Sequence, residues 1–418
     1  MKFIPLLPLI SPPPKHPFPF VSVAAVLGRS SASPSAAVYG RPLPNKNMSP
    51  LIPLLVLNAI RGVGSIRARH LIDAFGSAEA VLNADPALLL QAGAVGQMVL
   101  EGRKDTHLFD DAQRELEFIE AHHIQPLVYG QEGYPKRLLN CPDAPTVLFK
   151  LGDIDLEAKH VISIVGTRQC TQYGRDLVHR FVKELHEALP DVIIISGLAL
   201  GIDVESHKAA LENGIPTLGV VAHGLDRIYP YNHRGIAKQM IQEGGGLLTE
   251  YVTSAPFERG NFLARNRIIA GLADAVIVAE SKENGGSLVT ASIALDYGRD
   301  VFAFPGRITD DRSNGCNRLI RLNRAGLITS AQDLLYAMNW QSTCNPTAIQ
   351  QTLNFEEDHV SPLGRQLLDI LRDRGDLRLS QLADILPEIE RTALLEELLD
   401  LEMSDKIRNT PGGLYQIR

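Results

Sequence analysis

Arginines set beside glycine-bearing turns are the residues in this chain best suited to chemistry, and the chemistry they suit is anion capture. Gly166-Thr167-Arg168 follows the apolar run Val161 to Val165. Gly166 lets the backbone approach a ligand, and the Arg168 guanidinium can chelate a phosphate with two donors or make a surface salt bridge. Ser196-Gly197 takes the equivalent place after Val192 to Ile195, with Asp203 expected as a structural cap of the next helix; His207 and Lys208, one turn on, can face solvent without function. Gly285-Gly286-Ser287, with Thr290 one turn on, reads as a phosphate loop feeding a helix whose N-cap is Ser287.

The densest segment runs from Phe257 to Arg267 and sets two aromatics among Arg259, Arg265 and Arg267, with Asn266 between the last two. A ring on which a base stacks, beside cations for the backbone, is what single-stranded nucleic acid requires. Phe257 is expected to be the more buried ring and Phe262 the stacking platform. The structural alternative puts Phe262 in the core and pairs Arg267 with Glu280 or another carboxylate. Arg307, Arg312, Arg318 and Arg321 add a positive rim. Neither G-x-x-x-x-G-K-[ST] nor G-x-G-x-x-G occurs, which argues against a P-loop nucleotidase and a dinucleotide enzyme.

These turns need elements to hold them. Apolar runs at Val161 to Val165, Val192 to Ile195, Thr217 to Val221, Gly246 to Thr249, Ala275 to Ala279 and Val301 to Phe304 read as strands buried on both faces. Helical stretches lie between and after them, at Gly174 to Ala188, Asp203 to Asn213, Arg234 to Gln242, Arg265 to Leu272, Ser287 to Tyr297 and Cys316 to Arg324. Alternation at this spacing predicts an α/β fold, a Rossmann-like doubly wound sheet, whose ligand crevice lies outside the strand carboxyl ends.

A chain of 418 residues predicts two or three domains. Residues 1–47 read as a disordered Pro/Ser-rich leader or as an over-extended start before Met48; Pro5 and Pro8 interrupt any signal-like apolar run. Residues 48–123 read as an all-helical module, in which Arg61-Gly62-Val63-Gly64-Ser65 between two helices is either a phosphate-binding helix-hairpin-helix turn or a plain αα-hairpin. Residues 124–340 form the sheet domain and 341–361 a linker. Residues 362–418 read as three helices and a hairpin, a winged-helix module, whose third helix carries Glu396, Glu397, Asp400 and Glu402 and so favours protein contact over DNA.

The net charge of −7 requires any field that attracts nucleic acid to be local. The four scattered cysteines have no metal-ligand spacing and fit a reducing cytoplasm, and no apolar run is long enough for a membrane span.

Taken in order, Ile164 to Arg168, Ser196 to Asp203, Gly224-Leu225-Asp226 with Tyr229-Pro230, Arg265 to Gly271, Gly286 to Ala291 and Phe304-Pro305-Gly306 resemble the DNA-processing protein A family, also called DprA or Smf. The resemblance implies an extended Rossmann-like domain that binds single-stranded DNA without sequence preference, dimerises, and loads the RecA recombinase onto incoming DNA in natural transformation. It also implies a helical N-terminal module and, in many members, a C-terminal winged helix. By the motif it places Arg168, Arg259, Phe262, Gly286, Ser287 and Thr290 on the strand. Three departures stand out: Leu200 where an Arg is frequent, Gly285 where Ser is usual, and Arg324-Ala325-Gly326 near a surface of self-association.

The competing class is an enzyme, the lysine-decarboxylase-like nucleoside-monophosphate N-glycosidases, which resemble this chain in an Arg-bearing helix and a Gly-Gly loop. Their pattern puts a Glu after that loop, and Asn284 to Thr290 has none following, so the acid/base carboxylate is missing. The expectation is therefore non-catalytic capture without a cofactor. Backbone amides of the turns at Gly166, Thr167, Ser196 and Gly197, with Arg168, Arg259, Arg265 and Arg267, hold phosphates while Phe262 stacks a base. A third reading, a regulator acting through the winged helix, is disfavoured by the acidic third helix.

Overall fold

The structure is a computed structural model that describes residues 49–340, 361–410 and 413–417. The expected leader, 1–47, and all but the last residue of the expected linker lie outside the described residues. The chain divides into two compact units between Asn345 and Pro346.

The first unit begins with six helices: α1 (Leu51–Ala59), α2 (Gly64–Phe75), α3 (Ala78–Asn83), α4 (Pro86–Gln91), α5 (Ala94–Gly102) and α6 (Thr106–Ala121). Helix α1 is apolar on nearly every side, which suits only a helix surrounded by others, and Leu51 to Leu57 are all buried. Side chains of Ser77, Asp85 and Asp105 accept backbone N–H groups at the starts of α3, α4 and α6, which fixes where those helices begin.

Next come β1 (Gln125–Val128), α7 (Lys136–Leu139) and β2 (Val147–Gly152). The alternating part follows: β3 (His160–Val165), α8 (Gln172–Ala188), β4 (Val192–Ser196), α9 (Ile202–Glu212), β5 (Thr217–Val220), α10 (Arg234–Gln242) and β6 (Gly246–Thr249). It continues through α11 (Arg259–Leu272), β7 (Ala275–Val278), α12 (Gly286–Asp296), β8 (Asp300–Ala303), α13 (Asn314–Arg321), β9 (Gly326–Leu327) and α14 (Ala331–Ala337). All six strands predicted from apolar runs are present, shifted by at most one residue at an end. Strands β1, β2 and β9 were not predicted.

The strands form one sheet in the order β1-β2-β6-β5-β4-β3-β7-β8-β9, parallel from β6 to β9, with β2 antiparallel to β6 and β1 antiparallel to β2. Each inner strand serves two cores. On β3, Ile162 and Ile164 pack against α8, α9 and α14, while Val161 and Val165 face the core that α11 and α12 share. Strand order reverses at β3, which lies between β4 and β7, so the turns after β3 and β7 diverge and leave a crevice. Helix α11 carries the chain across that switch. The helical module joins the sheet through a shared core in which Val147 and Phe149 pack with the side chains of α1, and Thr146 Oγ1 donates to Asn58 Oδ1 at 2.8 Å.

The second unit contains α15 (Pro362–Arg374), β10 (Leu377–Arg378), α16 (Leu379–Ile385), α17 (Arg391–Met403), β11 (Ile407–Thr410) and β12 (Leu414–Ile417). Its sheet has the order β10-β12-β11 and closes over a small core of leucines with Ile407 and Tyr415.

Candidate nucleic-acid interface

The turn after β3 is pinned from both sides. Thr167 N donates to Glu280 O at 2.7 Å, and Ile202 N donates to Thr167 O at 3.2 Å, which ties the turn to the end of β7 and the start of α9. Glycine is required at two points of approach. A Cβ on Gly166 would lie 2.4 Å from Ile202 Cγ1, and one on Gly201, whose φ is +80°, would lie 2.2 Å from Thr167 O. The turn therefore delivers Arg168 outward in one place. Arg168 is exposed, makes no side-chain hydrogen bond or ion pair among the described residues, and holds its guanidinium carbon 5.6 Å from the centre of the Phe262 ring.

Around it opens a cleft at the switch point. Its walls come from Gly166, Thr167 and Arg168 after β3, from Lys282 and Asn284 to Ser287 after β7, and from Phe262, Leu263 and Asn266 of α11. Lys282 and Asn284 are exposed there, and the Lys282 ammonium has no partner among the described residues. Arg168 and Phe262 also border a neighbouring hollow lined by Leu200, His223 and Tyr229. Three rings meet edge to face, Tyr229, Phe257 and Phe262, with centroids 5.0 to 5.8 Å apart. Phe257 is 45% exposed and Tyr229 49%, while Phe262 is half-buried. The expected ranking of the two phenylalanines is thus reversed, because the loop before α11 lifts Phe257 clear of the sheet and the helix turns Phe262 toward Arg168.

Beneath the cleft lies a polar layer that faces inward. Ser196 Oγ donates to Ile164 O at 2.6 Å and is wholly buried. Arg265, only 3% exposed, donates through Nη1 to Gly197 O at 2.7 Å and to Val220 O. A Cβ on Gly197 would lie 2.2 Å from that Nη1, so glycine there makes room for the guanidinium. Burial draws the Arg265 pKa down to about 10, which leaves it cationic at neutral pH. Its charge faces Asp203, whose carboxylate accepts the N–H groups of Ala199 and Gly197. Asp203 is the second residue of α9, and the N-cap is Gly201. The other carboxylate close by, Glu280, is 1% exposed and accepts from Thr171 Oγ1 at 2.5 Å and Thr171 N at 2.8 Å.

Several expected roles change with this geometry. Arg265 supports the cleft floor, because it is buried and its Nη1 is committed to two backbone carbonyls, while its Nε has no hydrogen-bond partner among the described residues. Arg267 points away, donating to Glu250 and lying 3.9 Å from Asp143, the carboxylate pairing that the structural alternative anticipated. Ser196 offers its hydroxyl to the sheet. Ser287 donates to Ser281 Oγ at 2.9 Å, with Gly285 as the N-cap of α12, and Thr290 is 2% exposed on the cleft floor. Gly285 stands where Ser is usual because a Cβ would meet Ser281 Oγ at 2.2 Å. His207 is fully buried, contrary to the solvent-facing reading, and Lys208 pairs with Glu205 at 2.9 Å. Arg259, the first residue of α11, is exposed and has no side-chain hydrogen bond or ion pair among the described residues, but stands outside the cleft lining. Brought together at the cleft are Gly166, Thr167, Arg168, Phe262, Arg265 on the floor, Asn266, Gly286, Ser287 and Thr290, with Gly197 lining the neighbouring hollow. The site roles assigned from sequence had included neither Tyr229 nor Lys282. Tyr229 lies in the motif with Pro230, and its signal was an aromatic in a loop leaving a strand carboxyl end; Lys282 lies in the loop after β7.

A model of the DNA recombination-mediator protein A family matches residues 125–339. The DNA processing protein DprA of Streptococcus pneumoniae is 41% identical over 226 residues, covering 54% of this chain and 77% of its own. The Smf protein of Escherichia coli is 34% identical over 314 residues, covering 71% and 78%. The X-ray structure of the Streptococcus pneumoniae DprA superposes with a TM-score of 0.54 at 32% identity, covering 69% of this chain and 93% of that one. No helix among the described residues is long and apolar enough to cross a membrane. With a family match over half its length and relatives 34% and 41% identical that it covers to more than two thirds, the chain belongs to the DNA recombination-mediator protein A family, a family of DNA-binding, non-enzymatic proteins.

Proposed function

We propose that the chain captures single-stranded DNA along the cleft at the β3/β7 switch point, without sequence preference. The observation that carries this is the pairing of an exposed, unpartnered Arg168 with the face of Phe262. One group offers a phosphate two donors and the other offers a base a surface, 5.6 Å apart, as an unpaired strand requires. Lys282 and the backbone N–H groups at the start of α12 extend the anion-binding track, and Arg259 stands at the start of α11. Arg265 acts from below by holding Gly197, and Arg267 has no DNA contact.

The same reading makes the protein a cytoplasmic homodimer that loads the RecA recombinase on incoming DNA during natural transformation. The second unit, with three helices and a three-stranded sheet, fits a winged helix, and the carboxylates of α17 suit it to protein contact. Hydrolysis of nucleoside monophosphates is disfavoured because the buried carboxylates beneath the cleft, Asp203 and Glu280, are both occupied by local donors, and Glu283 stands outside the lining. The test measures affinity for single-stranded and duplex DNA of equal length, with nucleoside monophosphate hydrolysis assayed alongside. Preference for the single strand and no hydrolysis are expected; equal affinity for duplex, or turnover, overturns the proposal.

A further inference from the structure

We propose that Glu115 of α6 is a positioning residue for the aromatic wall of the cleft, so that the N-terminal helical module governs the base-stacking part of single-strand binding. The proposal rests on the reading of Phe262 and its neighbours as a base platform.

Glu115 is a carboxylate with only 5% exposure on a helix that otherwise turns polar residues to solvent. Its Oε2 accepts from Thr253 N at 2.8 Å and from Thr253 Oγ1 at 2.5 Å, across 138 positions of sequence. Thr253 belongs to the loop between β6 and α11, four residues before Phe257. The same residue is held from the other side. Its carbonyl accepts from Arg227 Nη2 at 3.1 Å, and Arg227 is itself fixed by Asp226 Oδ2 at 2.7 Å. A Cβ on Gly224 would lie 2.7 Å from Thr253 Cα, so the loop after β5 lies directly on the Thr253 backbone. That second loop carries Tyr229, whose N–H donates to His223 Nε2 at 3.2 Å, and His223 O accepts from Thr249 Oγ1 at 2.9 Å. Leu225 and Val252, one from each loop, pack into the core of the helical module.

Glu115 thus fastens the point where the loops bearing Phe257 and Tyr229 cross, and these two rings form the edge-to-face contacts that orient Phe262. Arg168 and Lys282 are held by other elements, β3 and β7, so phosphate capture does not pass through this clamp. A buried carboxylate carries a desolvation cost that two donors on a distant loop offset only when that loop is in place.

The experiment compares binding of an oligothymidylate with an abasic strand of the same length, in wild type, Phe262→Ala, Glu115→Ala, Glu115→Gln and Thr253→Val, with thermal melts to confirm folding. Wild type should bind the strand with bases about ten-fold tighter than the abasic one, the size of a stacking contact. Glu115→Ala and Thr253→Val should lose most of that ratio while keeping wild-type affinity for the abasic strand. Glu115→Gln, which keeps an oxygen acceptor, should restore the ratio. If wild type shows no preference for the strand with bases, or Phe262→Ala keeps that preference, the base-platform reading itself has failed. If Phe262→Ala abolishes the ratio and the Glu115 and Thr253 variants retain it, or lose abasic binding equally, the positioning role is overturned.

Discussion

Two arginines of α11 and one of the β3 turn resemble one another in sequence and differ sharply in place, which makes Arg168→Gln against Arg267→Gln the most discriminating pair of perturbations. Arg168 has its guanidinium free, so each donor it gives a phosphate is a gain on binding. A charge-assisted hydrogen bond contributes on the order of 1.5 kcal/mol at a solvent-facing site, which is roughly ten-fold in affinity. Loss of one neutralised phosphate also lowers the slope of log K against log salt by about 0.7 for a single strand. Arg267 is already bound to Glu250, and the second Glu250 oxygen, Oε1, has no hydrogen-bond partner. Removing that cation leaves Glu250 and Asp143 facing each other uncompensated. The fold then loses about 3 kcal/mol, or on the order of 5–10 °C in Tm, with no change in the salt slope. Fluorescence anisotropy of a labelled oligothymidylate across a salt series, with differential scanning fluorimetry beside it, separates the two effects. A wild-type slope for Arg168→Gln, or a reduced slope for Arg267→Gln, would refute the assignment of cleft and support roles.

Three further outcomes follow from the same geometry. Phe262→Ala should weaken single-strand binding by about 1–3 kcal/mol at an unchanged salt slope, measured in the same anisotropy assay. Gly201→Ala forces a side chain onto a residue at φ +80° and to 2.2 Å from Thr167 O, so it should cost at least about 1 kcal/mol in denaturant unfolding and displace Arg168, weakening binding as well. His207 gives a pH signature: Thr217 Oγ1 donates to Ile194 O and so accepts from His207 Nδ1–H, leaving Nε2 bare and unpartnered. Burial lowers its pKa from 6.5 to about 3, so as pH falls below 6.5 the unfolded chain takes up a proton that the folded one refuses. Stability contributed by this group is complete above that pH and declines toward pH 3; between pH 7 and 4.5 the loss should be roughly 2 kcal/mol, and His207→Gln should flatten it in urea melts at both pH values.

The parallel strands were legible because burial on both faces writes an unbroken apolar run, as in Val192 to Ile195 and Ala275 to Val278. Strand β1 carries Pro126 and exposes half its residues, and β9 is two residues long, so neither leaves such a run. At the site, glycine turns were legible because backbone approach demands glycine locally, as at Gly166 and Gly201. The fates of Arg265 and Arg267 were set by helix phase. Two residues apart on an α-helix means about 200° of rotation, so one guanidinium enters the sheet when the other leaves it. Phe262, Leu263 and Asn266 share the cleft-facing side, a pattern available in the sequence once the helix was known to begin at Arg259 and not at Arg265. Tyr229 joins that face only through the contact between two loops, which no local pattern encodes.

An acidic chain can still capture a polyanion because charges count only within reach. At physiological ionic strength the screening length is about 8 Å, so the net charge of −7, spread over 418 residues, is largely invisible from inside the cleft. What a strand bound as proposed would meet there are Arg168 and Lys282, whose cationic ends have no hydrogen-bond or ion-pair partner among the described residues, together with the amides at the start of α12. The nearest carboxylates do not cancel them. Asp203 lies below the surface against Arg265, Glu280 is turned toward Thr171, and Glu283, exposed beside Lys282, lies 3.8 Å from the Arg318 guanidinium. The buried Asp203–Arg265 pair is close to neutral as a unit, so its contribution is shape: it holds Gly197 and Ala199 in the conformation that leaves the cleft open above them. The attractive field therefore depends on very few side chains, and a single neutralising substitution at Arg168 removes a large share of it, whereas reversing an acidic residue on a distant face changes little.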